Sequence, residues 1–205
     1  MAIDSQTVFV VDDEPVVRKA VSLILEQAGH RIETFASAKE FLERYDGSQP
    51  GCLVSDVRMP GMDGMDLLRH LSQQGRKIPV VMLSAHGDIP MAIDAVKTGA
   101  IDFLEKPADP DVLRQKVAGA LAMDLKWRID LDEKEEIEQL ASTLTPRELE
   151  VLRLLVDGKD AKIVAQVLGS SYNTVRVQRA SIMKKMKADN IADLVRMMNL
   201  IKSQE

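Results

Sequence analysis

The sequence predicts an α/β doubly wound (βα)5 domain followed by a small all-α domain of four helices. Three observations lead there. Short apolar runs at TVFVVDDE, GCLVSDVR, IPVVMLSA and AIDFLEKP, rich in Leu or β-branched residues and bounded by Pro or Gly, have the composition of buried parallel strands. Stretches of helical period separate them, which gives repeated βα units. The charge then changes: residues 141–205 hold 11 Lys and Arg against 7 Asp and Glu, although the whole chain holds 27 against 32. At 205 residues there is room for a first domain of about 120 residues and a second of about 65 to 80. We place the first domain at 1–122, a helical linker at 123–140 and the second domain at 141–205.

The elements follow in order. The first run ends in Asp12-Asp13, and EPVVRKAVSLILEQAG then sets Val17, Val21, Ile24 and Leu25 on one helical face before Gly29, a C-cap residue. After GCLVSDVR, the loop MPGMDG needs Gly61 and Gly64 to leave the strand end without covering it. GMDLLRHLSQQG turns Met65, Leu68 and Leu71 to the sheet, and MAIDAVKTGA does so with Ile93 and Val96. His86, Gly87 and Asp88 make a polar segment after Ser84. Asp109-Pro110 opens the last helix of this domain. No Gly or Pro lies between Gly119 and Pro146, so the helix continues through much of the linker. In that linker Glu135, Glu136 and Glu138 form an acidic face, read as solvated, with docking against a basic helix as the alternative. Trp127, the single tryptophan, lies in the same stretch.

In an open α/β sheet the ligand crevice lies beyond the carboxyl ends of the strands. Asp12, Asp13, Asp56, Ser84 and Lys106 all occupy such ends and therefore converge. Three clustered carboxylates repel one another unless a hard cation joins them, and Mg²⁺ is the cation that suits carboxylates, waters and phosphate oxygens. An aspartate beside Mg²⁺, a lysine and a hydroxyl has what an acyl phosphate requires. Asp56 is the candidate nucleophile because it stands alone after its strand, whereas Asp12 and Asp13 form a pair suited to metal. Singly, each residue has a plain explanation: a turn or cap for the pair, a solvated lysine, a loop serine. Their combination, each behind a strand-like run, does not.

VVDDEP, SDVRMPGMDG, VVMLSAHGD and DFLEKP resemble the receiver domain of bacterial two-component response regulators, from about Thr7 to about Leu121. The resemblance implies phosphorylation of Asp56 from the phosphohistidine of a sensor histidine kinase. It also implies Mg²⁺ held by Asp13, Asp56 and the Arg58 carbonyl, with Asp12 acting mainly through water, and an acyl phosphate read by Ser84 and Lys106. Phe103 occupies the family's switch-aromatic position; its plain reading is a core phenylalanine. Lys106-Pro107 matches a cis peptide of the family. Arg58 and His86 stand where family side chains flank the attacking water, and as bulky groups they are expected to prolong the phosphoryl lifetime.

The tail has clear helical grammar. Thr145-Pro146-Arg147-Glu148 is a capping box with Pro in the first turn, opening a helix through Leu149, Leu152 and Val156 to Gly158. Ala161 to Leu168, with Ile163, Val164 and Val167 apolar, makes a short second helix closed by Gly169. Ser171 caps a third, Tyr172 to about Lys187, with Val175, Ile182, Met183 and Met186 inward. A fourth, capped by Asn190 or Asp189, runs through Ile191, Leu194, Val195, Met198 and Ile201. Two short helices joined at a Gly turn form a helix-turn-helix. Between Ser170 and Ala188 the chain holds Arg176, Arg179, Lys184, Lys185 and Lys187 and no acidic residue, which favours a polyanion over a merely solvated face.

LTPRELEVLRLLVDGKDAKIVAQVLGSSYNTVRVQRASIMKKM resembles the LuxR-type DNA-binding domain, and both halves together resemble the NarL/FixJ group. The resemblance implies that Arg176, Val177 and Ala180 face bases of double-stranded promoter DNA while Arg179, Lys184 and Lys185 lie near phosphates. Ala180 departs from the basic residue that some members carry. Arg176 suits a guanine, with a phosphate contact as the alternative, and Gln178 suits an adenine. Phosphorylation is expected to remodel the surface from roughly Pro90 to Ala122 so that the chain forms a homodimer. Control of transcription through RNA polymerase would follow.

Other classes fit less well. A haloacid-dehalogenase-like phosphatase wants a DxD pair that VVDDEP lacks, and a pure adaptor leaves the basic helix unexplained. Hence no enzyme is expected beyond slow hydrolysis of the chain's own phosphoryl group. A constitutive DNA binder with a receiver outside phosphorylation control is the remaining alternative. With no 18-residue apolar stretch and no basic leader, and with Cys52 alone in a strand run, the expected location is the cytoplasm, away from membranes.

Overall fold

The computed structural model describes residues 6–74, 78–85 and 89–202. The chain divides into two compact units, Met1–Arg128 and Ile129–Glu205. In the first, β1 (Thr7–Val11), α1 (Pro15–Glu26), β2 (Arg31–Phe35), α2 (Ala38–Arg44), β3 (Gly51–Asp56), α3 (Gly64–Gln73), β4 (Val80–Ser84), α4 (Ile89–Thr98) and β5 (Asp102–Glu105) alternate before α5 (Pro110–Ser142). The five strands are parallel in the order β2-β1-β3-β4-β5.

Strand alternation distributes the apolar side chains to two cores. Val8, Val10, Cys52, Val54, Val81 and Leu83 meet Val21 and Leu25 of α1 and Leu113 and Val117 of α5 on one face. On the other, Phe9, Val11, Leu53 and Met82 meet Phe41 of α2 and Leu67 and Leu71 of α3. Each such side chain stabilises the fold by about 1.5–3 kcal/mol when buried. Phe9 lies edge-on to Phe41 and Tyr45 at centroid distances of 5.7 and 5.2 Å. The Cys52 thiol, buried first of all and lying near the Asp124 charge, has its pKa pushed up, so it stays protonated as a small hydrophobe.

Some sequence expectations need correction. In α4, Ile93 and Val96 are exposed and Ala95 takes the buried position. IPMAIDAVKT is apolar almost all round, so its period cannot choose a face, and the small side chain lets the helix approach the sheet. The strand β2 lies outside the four apolar runs because it is a sheet edge, reading RIETF with only Phe35 buried. Helix α1 also ends before Gly29, at Glu26, and Gly29 takes φ +85° two residues beyond its C-cap Gln27.

The second unit contains the C-terminal part of α5, then α6 (Pro146–Val156), α7 (Ala161–Val167), α8 (Tyr172–Lys185) and α9 (Ile191–Lys202). Its core joins Ile137 to Val151, Leu152, Leu155, Val164, Val175, Ile182, Met186 and Leu194. The capping box is complete: the Thr145 hydroxyl accepts from the Glu148 amide, and the Glu148 carboxylate accepts from the Thr145 amide at 2.8 Å. Ser171 caps α8, and the Asn190 side chain accepts from the Asp193 amide at the start of α9. In α7 the expected apolar trio splits. Val164 is buried together with Ala165, while Ile163 and Val167 face solvent, because two turns of helix present one narrow stripe to α8.

The linker's acidic residues pair within this unit. Glu136 receives Lys187 at 3.1 Å and Glu133 receives Arg196, whereas no ion pair involves Arg176, Arg179 or Lys184 among the described residues.

Candidate functional site

Asp12 follows β1, Asp56 ends β3, Ser84 ends β4 and Lys106 follows β5. Parallel pairing at β1·β3, β3·β4 and β4·β5 brings these ends level, and the Lys106 amide donates to the Ser84 carbonyl at 2.8 Å. Asp12, Asp56 and Ser84 are buried, at 1, 5 and 1 % exposure. Lys106 Nζ lies 2.6 Å from Asp12 Oδ2 and 2.7 Å from Asp56 Oδ1. Asp12 Oδ1 accepts from the Glu14 amide at 2.9 Å, which orients the carboxylate.

Asp12, Asp13 and Asp56 each offer an oxygen within 4.8 Å of the others. An all-oxygen set of three carboxylates is the donor chemistry of a hard divalent cation, and the single nearby ammonium leaves negative charge to neutralise. The residues therefore fit a metal ion of that kind.

The electrostatics agree. Burial pushes the Asp56 carboxyl above its ordinary range; Lys106 opposes the shift, and the charges of Asp12 and Asp13 reinforce it. Burial works against the Lys106 ammonium, yet its hydrogen bonds to Asp12 and Asp56 prevail and raise its pKa.

The loop after β3 keeps the site open. Gly61 takes φ +81°, and Gly64 sits so close that a Cβ there would stand 2.0 Å from the Asp56 carbonyl oxygen. Its amide donates to the Val57 carbonyl at 2.8 Å. Arg58, in this loop, has an exposed side chain. Phe103, in β5, is half-buried and packs against the core that contains Met82. The Lys106-Pro107 peptide is cis. His86, Gly87 and Asp88 lie outside the described residues. Sequence reasoning passed over Arg18, whose guanidinium donates to the Asp12 carbonyl oxygen; nothing in the spacing of α1 marks that contact.

In the second unit, α8 presents Arg176, Val177, Arg179, Ala180 and Lys184 to solvent. Val177 is 70 % exposed. The Arg176 guanidinium lies 6.0 Å from the Tyr172 ring centroid. Two expected contacts are placed differently from these. Gln178 is half-buried with its Oε1 enclosed, and Lys185 donates to Glu148 Oε2 at 2.7 Å and to the Thr143 carbonyl at 3.1 Å. Glu148, buried, also accepts from the Ser181 hydroxyl at 2.7 Å. Those bonds from Lys185, Ser181 and the Thr145 backbone hold its pKa down at about 2. Glu148 thus ties the start of α6 to the C-terminal half of α8, a role that the capping-box pattern did not reveal.

No helix among the described residues is long and apolar enough to cross a membrane. Residues 8–118 match the response regulator receiver domain, and residues 142–198 match the bacterial regulatory proteins of the luxR family. The chain is 36 % identical over 190 residues to the transcriptional regulatory protein FixJ of Bradyrhizobium diazoefficiens, covering 93 % of each chain. It is 38 % identical to the response regulator protein TodT of Pseudomonas putida, covering 97 % of this chain and 87 % of that one. Among solved structures, the response regulator StyR is similar with a TM-score of 0.82 at 42 % identity, covering 95 % of this chain and 98 % of that one.

Proposed function

Because the chain belongs to the NarL/FixJ group of two-component response regulators, DNA-binding transcription regulators with a receiver and a LuxR-type domain, we propose that a sensor histidine kinase controls it by phosphorylating Asp56. The observation that carries this reading is the buried pair of Asp56 and Lys106 facing Asp12 and Asp13. The receiver function is assigned to residues 1–122, the helical connection to 123–140 and DNA binding to 141–205.

Asp13, Asp56 and the Arg58 carbonyl would hold Mg²⁺, with Asp12 acting through water. The bound ion supplies neutralisation of the carboxylate and phosphoryl charges. A carboxylate oxygen of Asp56 attacks phosphorus; the P–O bond forms as the P–N bond to the kinase histidine breaks. Lys106 then pairs with a phosphoryl oxygen, the Ser84 hydroxyl donates to another, and Phe103 follows Ser84 inward. The chain slowly hydrolyses this acyl phosphate, with Arg58 crowding the approach of water.

Exposed Ile93 and Val96 of α4 and Val112 of α5 give the region from Pro90 to Ala122 an apolar surface suited to a homodimer. Two DNA-binding domains held together bind half-sites about one helical turn apart with raised effective concentration. Arg176, Val177 and Ala180 face the bases of double-stranded promoter DNA and Arg179 and Lys184 lie near phosphates, while Lys185 seats α8 against Glu148. The bound dimer acts through RNA polymerase in the cytoplasm.

Sedimentation velocity with Mg²⁺, with and without beryllofluoride, on wild type and Asp56→Ala tests the reading. A monomer-to-dimer shift in wild type alone is expected. A dimer throughout would favour a DNA binder outside phosphorylation control.

A further inference from the structure

At the end of the sheet opposite Asp56, one buried carboxylate collects donors from three parts of the first unit. Asp124 of α5 is 1 % exposed. Its Oδ2 accepts from the amide of Gly51, the first residue of β3, at 2.9 Å and from Gln6 Nε2, just before β1, at 3.0 Å. Its Oδ1 accepts from Arg128 Nε at 3.0 Å. Arg128 then reaches on: Nη1 donates to the Ser48 carbonyl at 3.0 Å and Nη2 to the Gln49 carbonyl at 2.7 Å. Gln6 also donates to the Leu121 carbonyl at 2.8 Å.

We propose that Asp124 and Arg128 are positioning residues, a latch that fixes the outgoing part of α5 to the base of β1 and β3 and makes the DNA-binding unit responsive to the receiver. The latch sits on β3, the strand whose other end carries Asp56. Gly51 at the base of β3 is thereby joined to α5 through Asp124. Five residues past Arg128 the helix is held again, now within the second unit, by Glu133 with Arg196, Glu136 with Lys187 and buried Ile137. Between these two sets of bonds lie Ile129, Asp130, Leu131 and Asp132, all exposed. About one helical turn therefore separates the two attachments, and an exposed turn is the place where a helix opens first. With the latch closed, that turn stays continuous with a helix anchored to the sheet. With the latch open, residues 121–132 become a flexible tether.

The claim that phosphorylation works through the latch rests on the reading of Asp56 given above; the claim that the latch anchors α5 does not. Hydrogen exchange of the full chain, with and without Mg²⁺ and beryllofluoride, separates the two. The variants are Arg128→Ala, Arg128→Lys and, as a control on an exposed position of the same helix, Lys126→Ala. Alanine is the better helix former, so propensity alone would slow exchange in Arg128→Ala. We expect exchange in residues 121–132 to accelerate at least about tenfold, since hydrogen bonds to a charged group are lost. Arg128→Lys should recover part of the protection by keeping one bond to Asp124, and Lys126→Ala should match wild type. Beryllofluoride should alter exchange around Asp56 and in 121–132 of wild type, but only around Asp56 in Arg128→Ala. Wild-type exchange in 121–132 of Arg128→Ala, or a beryllofluoride response there that survives the substitution, overturns the proposal. If beryllofluoride leaves the surroundings of Asp56 unchanged in wild type, the phosphorylation reading fails, and basal exchange in 121–132 still decides the anchor.

Discussion

Lys106 Nζ stands 2.7 Å from Asp56 Oδ1, with 11 and 7 % of the two side chains exposed, so the receiver holds Asp56 in a buried ion pair. The same ammonium serves Asp12 at 2.6 Å. One cation thus balances two buried carboxylates, and its removal leaves both without a counter-charge. Lys106→Met is expected to cost about 3 kcal/mol at pH 7 without Mg²⁺, the usual scale for breaking a buried pair. Burial already raises the Asp56 pKa, so the cost should shrink as pH falls and the carboxyl protonates. Urea unfolding at pH 7 and pH 5 measures this; an equal loss at both would contradict it.

Asp13 makes a different contribution. It is half-buried, and its charge adds to the forces that raise the Asp56 pKa. Asp13→Asn should therefore stabilise the metal-free receiver by about 0.5–1 kcal/mol through relieved repulsion, and weaken Mg²⁺ binding at least about tenfold. Calorimetric titration with Mg²⁺ and urea unfolding of the same samples supply both values. A variant less stable than wild type would show that Asp13 is a structural residue.

Acid should loosen the second unit through Glu148. Its folded pKa of about 2 lies below the ordinary 4.5, so its bonds contribute stability that is fully present above about pH 4.5 and lost as pH falls toward 2. Protection of α6 and α8 amides against exchange should decline across that window. In Glu148→Gln the decline should flatten, with lower protection at pH 7, because the amide offers Lys185 no charge and has one acceptor oxygen where the carboxylate had two for Lys185 and Ser181. An unchanged profile would remove Glu148 from this account.

Lys184 and Lys185 are neighbours in sequence and separate in role. Lys184 is exposed, whereas Lys185 is engaged by Glu148 and the Thr143 carbonyl. If Lys184 neutralises a phosphate, Lys184→Ala should reduce the dependence of log K on log salt by about 0.9. Lys185→Ala should lower affinity with a smaller change in slope, since it disturbs the seating of α8. Fluorescence anisotropy on a selected duplex across a salt series distinguishes them, and equal slopes would return Lys185 to the phosphate contacts.

Arg176 is expected to read a base. Arg176→Ala should cost about 1–3 kcal/mol on the selected duplex and relax the preference at one base pair. A uniform loss across all sequences would make it a phosphate contact instead.

The sequence by itself determined the doubly wound sheet, the carboxylates with their lysine and serine, the capping box and the helix-turn-helix. Each of these depends on short-range grammar: strand runs that stop at a polar residue, Thr145 reaching Glu148, Ser171 reaching Thr174. Such signals lie within one element or at its end, where spacing and residue type suffice. Tertiary structure alone decided which face of α4 is buried, since IPMAIDAVKT offers apolar residues on every side and only contact with the sheet selects Ala95. It also decided that Ile163 and Val167 stay exposed, that Lys185 turns to Glu148, and that Gln178 tucks its carbonyl oxygen inward. Asp124 shows the same division. In the sequence it is one acid among many on a charged helix, and its meaning comes from Gly51, 73 positions away, whose amide it caps only once the sheet has formed. Long-range partners of this kind leave no periodic trace, because the chain that brings them together is the folded one.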